Sequence, residues 1–416
     1  MKIVFEKVIT EVVKSKVIRF SFFTYLAIVI NVLSGVFLAR SMGASQRGLL
    51  AYYANFLLLS SFVSASNISN ATARTLVDFE HKVELHFRQS KSVFFYVGFL
   101  MAAATTCVIS GLIINDWEVN KNFFIILMLV NALGAVTSLY DGYWRFNNSI
   151  SFLTATRFIG LAAPSFFTFI LISMDNVEIR YLLLGQLVVI ILNLWIIFLF
   201  IKRCSRPQFP ESRKILKSAF HGFPTYLAEY LVAWIVPFFI LRVEGSEVLG
   251  WYIVALSYSL LADVTYSALE AKNYKFMSAF SKHKETPKLG LFLKNSSPVL
   301  GMHLFFISFA FMIPIIYGEE FGDSSLFAIA ILIIRVPIVI SRSITSYLIS
   351  TSKNIEPLII FLSFLITFTT VMSFSNVKLL SFYWIFAYAT GAIVMLLTAL
   401  LILFKVSSKI RHFGHA

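Results

Sequence analysis

The chain repeats a short block, first as Thr24-Tyr25-Leu26-Ala27 and then as Thr225-Tyr226-Leu227-Ala228. A second block follows each copy, and it consists of Arg40, Gly43 and Gly48 in the first copy and Arg242, Gly245 and Gly250 in the second. The offset is 201 residues at the first block and 202 at the second. Each copy lies where one hydrophobic segment ends and the next begins. Such a period is typical of a membrane protein built from two similar halves.

The composition predicts an all-α integral membrane protein. Hydrophobic residues make up 58% of the chain, charged residues only 13%, and the mean hydropathy is +0.81. Soluble domains carry about a quarter charged residues, so this chain needs lipid as its solvent. The apolar runs are continuous and about 20 residues long, which is the length of a transmembrane helix rather than of a barrel strand.

Twelve hydrophobic segments are predicted to span the membrane in two parallel six-helix bundles. The two bundles have the same orientation because each half contains an even number of helices. The predicted spans are 18–40, 47–68, 92–114, 122–140, 150–173, 181–201, 219–242, 248–269, 296–317, 324–349, 357–375 and 381–404.

The positions of Lys and Arg predict that both termini are cytoplasmic. With that orientation, 26 basic residues lie in cytoplasmic segments and six in the turns on the other side. This asymmetry is the positive-inside pattern, so the net charge of +14 indicates contact with anionic membrane lipids rather than with nucleic acid.

The same topology divides the chain into five parts. We expect an amphipathic cytoplasmic segment at 1–17, bundles at 18–201 and 219–405, a basic linker at 202–218, and a cytoplasmic tail at 406–416. The linker is predicted to end in a short surface helix, Glu211 to Ser218.

The sequence contains no motif that predicts catalysis, a cofactor or a metal site. The two cysteines, Cys107 and Cys204, are predicted to lie on different sides of the membrane, so neither a disulfide nor a metal site is expected. No phosphate-binding GxxxxGK[ST] loop occurs, and His221 has no nucleophile arranged beside it. We therefore expect a protein that is not an enzyme.

Three arginines within the predicted spans form a candidate anion site. Arg335 and Arg342 are seven residues apart, which places them on one helix face about 10 Å apart. Together with Arg157 they could line a positive chamber for phosphate or carboxylate groups, since charges facing lipid are costly. The alternative for Arg157 and Arg342 is that they extend to the cytoplasmic headgroups.

Two carboxylates within the spans are candidate ion-coupling residues. Glu229 lies near the middle of its predicted span, and Asp263 belongs to a polar stripe on the next one. A buried carboxylate can take up a proton near neutral pH. The alternative is that each is fixed in an ion pair with one of the three arginines.

Three stretches resemble polysaccharide flippases of the Wzx type. They are Phe37–Gly43 with Gly48, Val248–Tyr252, and Pro314–Phe321. The resemblance extends over the whole chain, although the Pro that often ends the eighth helix in this family is absent from Ala268–Ala271.

This resemblance implies the fold of the MATE-like multidrug, oligosaccharidyl-lipid and polysaccharide exporters. It also implies transport of an undecaprenyl-diphosphate-linked oligosaccharide across the bacterial inner membrane for O-antigen or a similar lipopolysaccharide or polysaccharide. Antiport of protons or sodium ions is implied too, as are a polysaccharide polymerase and a chain-length regulator as partners. In that setting Arg157, Arg335 and Arg342 would hold the diphosphate or an acidic sugar. The rival interpretations are a drug or cation exporter of the same fold and a membrane polysaccharide polymerase or ligase.

Overall fold

The computed structural model describes residues 16–65, 67–69, 71–72, 121–146, 150–173, 179–201, 212–262, 289–350, 355–374 and 383–413. These residues form helices and short turns, and no strand occurs among them. The eleven helices named here are α1 (Lys16–Ala65), α2 (Lys121–Phe146), α3 (Ile150–Ser173), α4 (Ile179–Ile201), α5 (Ser212–Val243), α6 (Ser246–Ala262), α7 (Leu289–Phe309), α8 (Ile313–Tyr317), α9 (Ser324–Ser350), α10 (Ile355–Ser373) and α11 (Tyr383–Phe413).

The helices confirm the predicted all-α membrane fold. In the described part of the chain, six segments are long and apolar enough to cross a bilayer, and four shorter helices are also apolar. The chain is therefore a multi-pass membrane protein. Helix α3 coincides with the span predicted at 150–173. The span predicted at 92–114 lies outside the described residues, as do Cys107 and Cys204.

Two predicted boundaries differ from the structure. The separate surface helix expected at Glu211–Ser218 is instead the start of α5, which continues to Val243. The side chains of Ile215 and Ala219 in this first part of the helix are buried, so this part packs on the protein and continues into the span. At the other end of the chain, α11 runs on to Phe413 through most of the predicted tail.

The chain groups into two compact units. The first contains residues 1–38 and 53–223, and the second contains residues 39–52 and 224–416. The turn region between the first two predicted spans thus belongs to the second unit, although it comes from the first half of the sequence. The division passes through α5, between Phe223 and Pro224.

A polar contact joins two helices of the first unit. Ser165 on α3 donates a hydrogen bond to the side-chain oxygen of Asn31 on α1 over 3.1 Å, and Ser34 donates to the Ser165 carbonyl over 3.5 Å. Asn31 thus joins two helices of a bundle through its side chain, as polar residues within membrane spans often do.

An aromatic cluster joins three helices of the second unit. The Trp384 ring of α11 packs edge-on against Tyr252 of α6 and Phe327 of α9, with centroid distances of 5.2 and 5.1 Å. All three side chains are buried. Phe327 packs α9 into this cluster, and α9 carries both arginines of the second unit that were predicted to bind an anion.

Candidate functional site

Arg335 lies deep within the second unit. It is close to the middle of the span candidate Glu319–Ile349, and the residue is only 9% exposed. Its guanidinium interacts electrostatically with the hydroxyl of Tyr252 on α6. Burial of a charge at this depth agrees with the prediction that Arg335 faces the protein interior rather than lipid. Because so little of Arg335 is exposed, we expect it to act on a ligand through its positive charge more than by direct contact.

Arg342 is the more accessible of the two arginines on α9. Its Nε atom lies 3.9 Å from Oε1 of Glu229 on α5, and 29% of the Arg342 side chain and 33% of the Glu229 side chain are exposed. The distance exceeds that of a hydrogen bond, so the contact between these two atoms is electrostatic. The structure thus brings together two residues that sequence reasoning had assigned to different roles.

This ion pair bears on two of the sequence hypotheses for Arg342 and Glu229. A guanidinium that reached for the cytoplasmic headgroups would not have its Nε beside a carboxylate placed midway along the span candidate Lys214–Val243. The contact agrees with the alternative that Glu229 pairs with an arginine. Pairing does not remove Glu229 from ion coupling, because the side chain remains one-third exposed.

Two tyrosines lie near Glu229 on α5. Tyr226 precedes Glu229 by three residues and Tyr230 follows it directly, so Tyr226 and Tyr230 are one helical turn apart. Trp234 stacks on Phe238 one turn further along, with ring centroids 5.1 Å apart. The tyrosines therefore supply hydroxyl groups close to Glu229 along α5, whereas Trp234 and Phe238 lie on the other side of the helix.

Two predicted site residues are not described. The side chain of Arg157 lies outside the described part of α3, and Asp263 follows the last described residue of α6. Their roles stay predictions. Among the described residues, no group of three or more His, Cys, Asp or Glu side chains could hold a metal ion.

The repeated glycine block forms a close contact in the second unit. Gly43 and Gly245, which correspond in the repeat, have φ angles of 74° and 96°, a conformation that favours glycine. A Cβ at Gly48 would overlap the carbonyl oxygen of Ser246, and one at Gly250 would overlap that of Ala44. Since the offset of 202 also relates Ala44 to Ser246, the two copies contact each other reciprocally.

Side chains extend this contact to a third stretch of the chain. Arg40 donates hydrogen bonds to the carbonyls of Ile315 and Ile316, each over 2.9 Å. Trp251 donates to the carbonyl of Glu320 over 2.8 Å. The Ser45 and Ser246 hydroxyls lie 2.7 Å apart. We call this group the turn clasp, and it consists of residues 40–48, 246–251 and 315–320.

The sequence indicated the three stretches that form the turn clasp but not that they contact one another. The three stretches that carry the flippase resemblance all contribute to it, and Arg40 was interpreted only as turn and packing chemistry. The signal that could have located the contact is the reciprocal glycine pattern, because glycines at matching positions of two repeats permit close packing of two helices.

We expect Gly250→Ala to destabilise the second unit. The nearest atoms to an added methyl group are backbone atoms of Ala44, which cannot move without shifting a helix. Overpacking of this kind costs about 1–3 kcal/mol, so the melting temperature in detergent should fall by several degrees. The matched control is Gly301→Ala, where an added Cβ meets nothing within 4 Å. Equal melting temperatures for the two variants would contradict the close contact.

Comparison with known proteins rests on structure alone, since the sequence matches no family model and no curated protein at a significant level. A MATE transporter in a straight conformation aligns with a TM-score of 0.72 at 14% identity, covering 96% of this chain and 97% of that one. The chain has the MATE transporter fold. An inward-facing multidrug resistance MATE transporter of the MOP superfamily aligns with a TM-score of 0.67 at 12% identity, covering 94% and 96% of the two chains.

A third MATE-fold structure differs in the character of its pocket. It is a MOP superfamily transporter from Pyrococcus furiosus, described as having a binding pocket of reverse polarity that suggests a different function. It aligns with a TM-score of 0.64 at 14% identity, covering 95% of each chain. At these identities the similarity concerns the fold, and the function has to be argued from the residues of this chain.

Proposed function

We propose that this protein is a flippase for undecaprenyl-diphosphate-linked oligosaccharide, the repeat unit of an O-antigen or a similar surface polysaccharide. It moves this lipid-linked sugar from the cytoplasmic to the outer face of the bacterial inner membrane by alternating access. Three things support the proposal: the MATE transporter fold, the resemblance to Wzx-type flippases, and the positive charge within the second unit.

The observation that carries the proposal is the pair of arginines on one face of α9. A diphosphate cannot enter hydrocarbon without groups that replace its water shell, and guanidinium groups suit phosphate oxygens. Arg342, which is partly exposed, binds the diphosphate or an acidic sugar, and Arg335 adds positive potential about 10 Å away. The polyprenyl tail stays in lipid throughout. Arg157 is also proposed to bind the substrate.

Ion coupling is the second part of the proposal. Protons or sodium ions drive the cycle, and Glu229 and Asp263 are the proposed ion-coupling carboxylates.

The excess of Lys and Arg on one side orients both termini toward the cytoplasm. In that orientation the turn clasp lies on the outer side, and we propose that it opens during the transport cycle.

A drug or cation exporter of the same fold is the second candidate. The observation that favours it is the exposed carboxylate of Glu229, since carboxylates attract cationic drugs, and two of the similar structures are multidrug resistance transporters. The arginine beside Glu229 counts against it because it neutralises that carboxylate. A polymerase or ligase is less well supported, because the fold similarity is to transporters.

Deletion of the gene in its native host tests the proposal. We expect lipid-linked repeat units to accumulate on the cytoplasmic face and surface polysaccharide to disappear, with both restored by the wild-type gene on a plasmid. Sensitivity to cationic drugs should stay unchanged. Normal surface polysaccharide combined with higher drug sensitivity would favour the exporter instead.

A further inference from the structure

We propose that Glu229 is an internal competitor for Arg342. Its carboxylate occupies the guanidinium while the substrate site is empty, and an anionic group of the substrate displaces it. This inference rests on the proposed function, because the displacing group is the phosphate of the transported lipid. It adds a role for Glu229 that concerns affinity and release of the substrate.

The geometry of the pair suits displacement. The two side chains come from different helices, α5 and α9, and their atoms approach to 3.9 Å. About a third of each side chain is exposed, so a ligand can reach the pair without unfolding a helix. An ion pair with this exposure contributes little to stability, so a role in stability alone does not account for it.

Competition explains how the positive charge of Arg342 is balanced when no substrate is bound. An unpaired guanidinium within a membrane-spanning bundle is costly, so an empty anion site needs a counter-charge while the transporter changes conformation. A carboxylate on a neighbouring helix supplies it. A carboxylate carries less charge than a diphosphate, so the substrate displaces Glu229 from Arg342 when it is present. Glu229 pairs with Arg342 again as the substrate leaves. Glu229 therefore weakens binding and assists release.

Binding measurements on Glu229→Gln test this competition. Purified protein in detergent is titrated with two probes, inorganic pyrophosphate and farnesyl diphosphate, by calorimetry at constant pH. We expect the variant to bind a diphosphate about three- to fivefold more tightly than wild type, a modest effect because the pair is partly exposed. Tightening for farnesyl diphosphate assigns the site to a lipid headgroup, whereas tightening for pyrophosphate alone assigns it to a soluble diphosphate.

Two controls separate competition for Arg342 from a general change in charge. Asp323→Asn removes the same charge from an exposed position of the second unit outside the turn clasp and should leave the affinity at the wild-type value. In an Arg342→Gln background, Glu229→Gln should give no tightening, since the contested group is gone. Equal tightening in both backgrounds would overturn the inference, as would unchanged or weaker binding by Glu229→Gln alone. If wild-type protein binds neither probe, the proposed function itself fails.

Discussion

A Ser45→Cys, Ser246→Cys double variant is expected to lose transport on oxidation and to regain it on reduction. The two hydroxyl oxygens lie 2.7 Å apart, so the side chains are close enough for a disulfide after a small adjustment. In the proposed cycle the turn clasp opens. A covalent bond across it keeps the clasp closed, and export should fall to background.

The experiment is made in a background that lacks the native thiols, with Cys107→Ser and Cys204→Ser. Each single cysteine variant, oxidised in the same way, should transport at the wild-type rate. Formation of the bond is followed by a mass or mobility shift that a reducing agent reverses. Full transport by the cross-linked protein would show that the clasp stays closed through the whole cycle and is a structural contact only.

Arg342→Gln is expected to lower export of the lipid-linked sugar about ten- to hundredfold at equal protein level. The estimate follows from the loss of charge-assisted hydrogen bonds to phosphate, each of which contributes about 1.5–3 kcal/mol. Arg342→Lys should retain part of the activity, because it keeps the charge and loses the planar fork. Export is measured as surface polysaccharide in cells complemented with each variant.

Arg335 gives a different expected pattern because it is only 9% exposed. If it acts through its charge, Arg335→Lys should retain most of the activity and Arg335→Gln should lose most of it. Arg242→Gln is the matched control, since it removes an exposed guanidinium from the same unit. Unchanged export in both Arg335→Gln and Arg342→Gln would remove the α9 arginines from the substrate site.

The sequence allowed a good prediction of the helices and a partial one of the site. Spans such as 150–173 follow from hydrophobicity, which is a local property, and the structure begins and ends α3 at the same residues. The mid-span depth of Arg335 followed in the same way. The pairing of Arg342 with Glu229 could be named only as one alternative, because 113 residues separate them and the rotation of each helix was unknown.

The turn between the first two spans shows the limit of local reasoning most clearly. Hydrophobicity predicted a polar turn from Arg40 to Arg47, whereas the structure has a helix that breaks at Gly43 alone. The residues after the break belong to the second unit, where the backbone at Gly48 lies against that of Ser246. No local pattern predicts that approach.

The sequence by itself determined that this protein lies in a membrane, that it is helical and that it contains a two-part repeat. Hydrophobicity adds up along the chain, and a backbone in hydrocarbon must satisfy its hydrogen bonds internally, which a helix does. The sequence also indicated where glycine was needed, at Gly43 and Gly245. Only the tertiary structure decided which distant groups meet, including the carbonyls that Arg40 binds and the carboxylate beside Arg342. Those contacts depend on the order and rotation of packed helices, which are set by many weak contacts acting together.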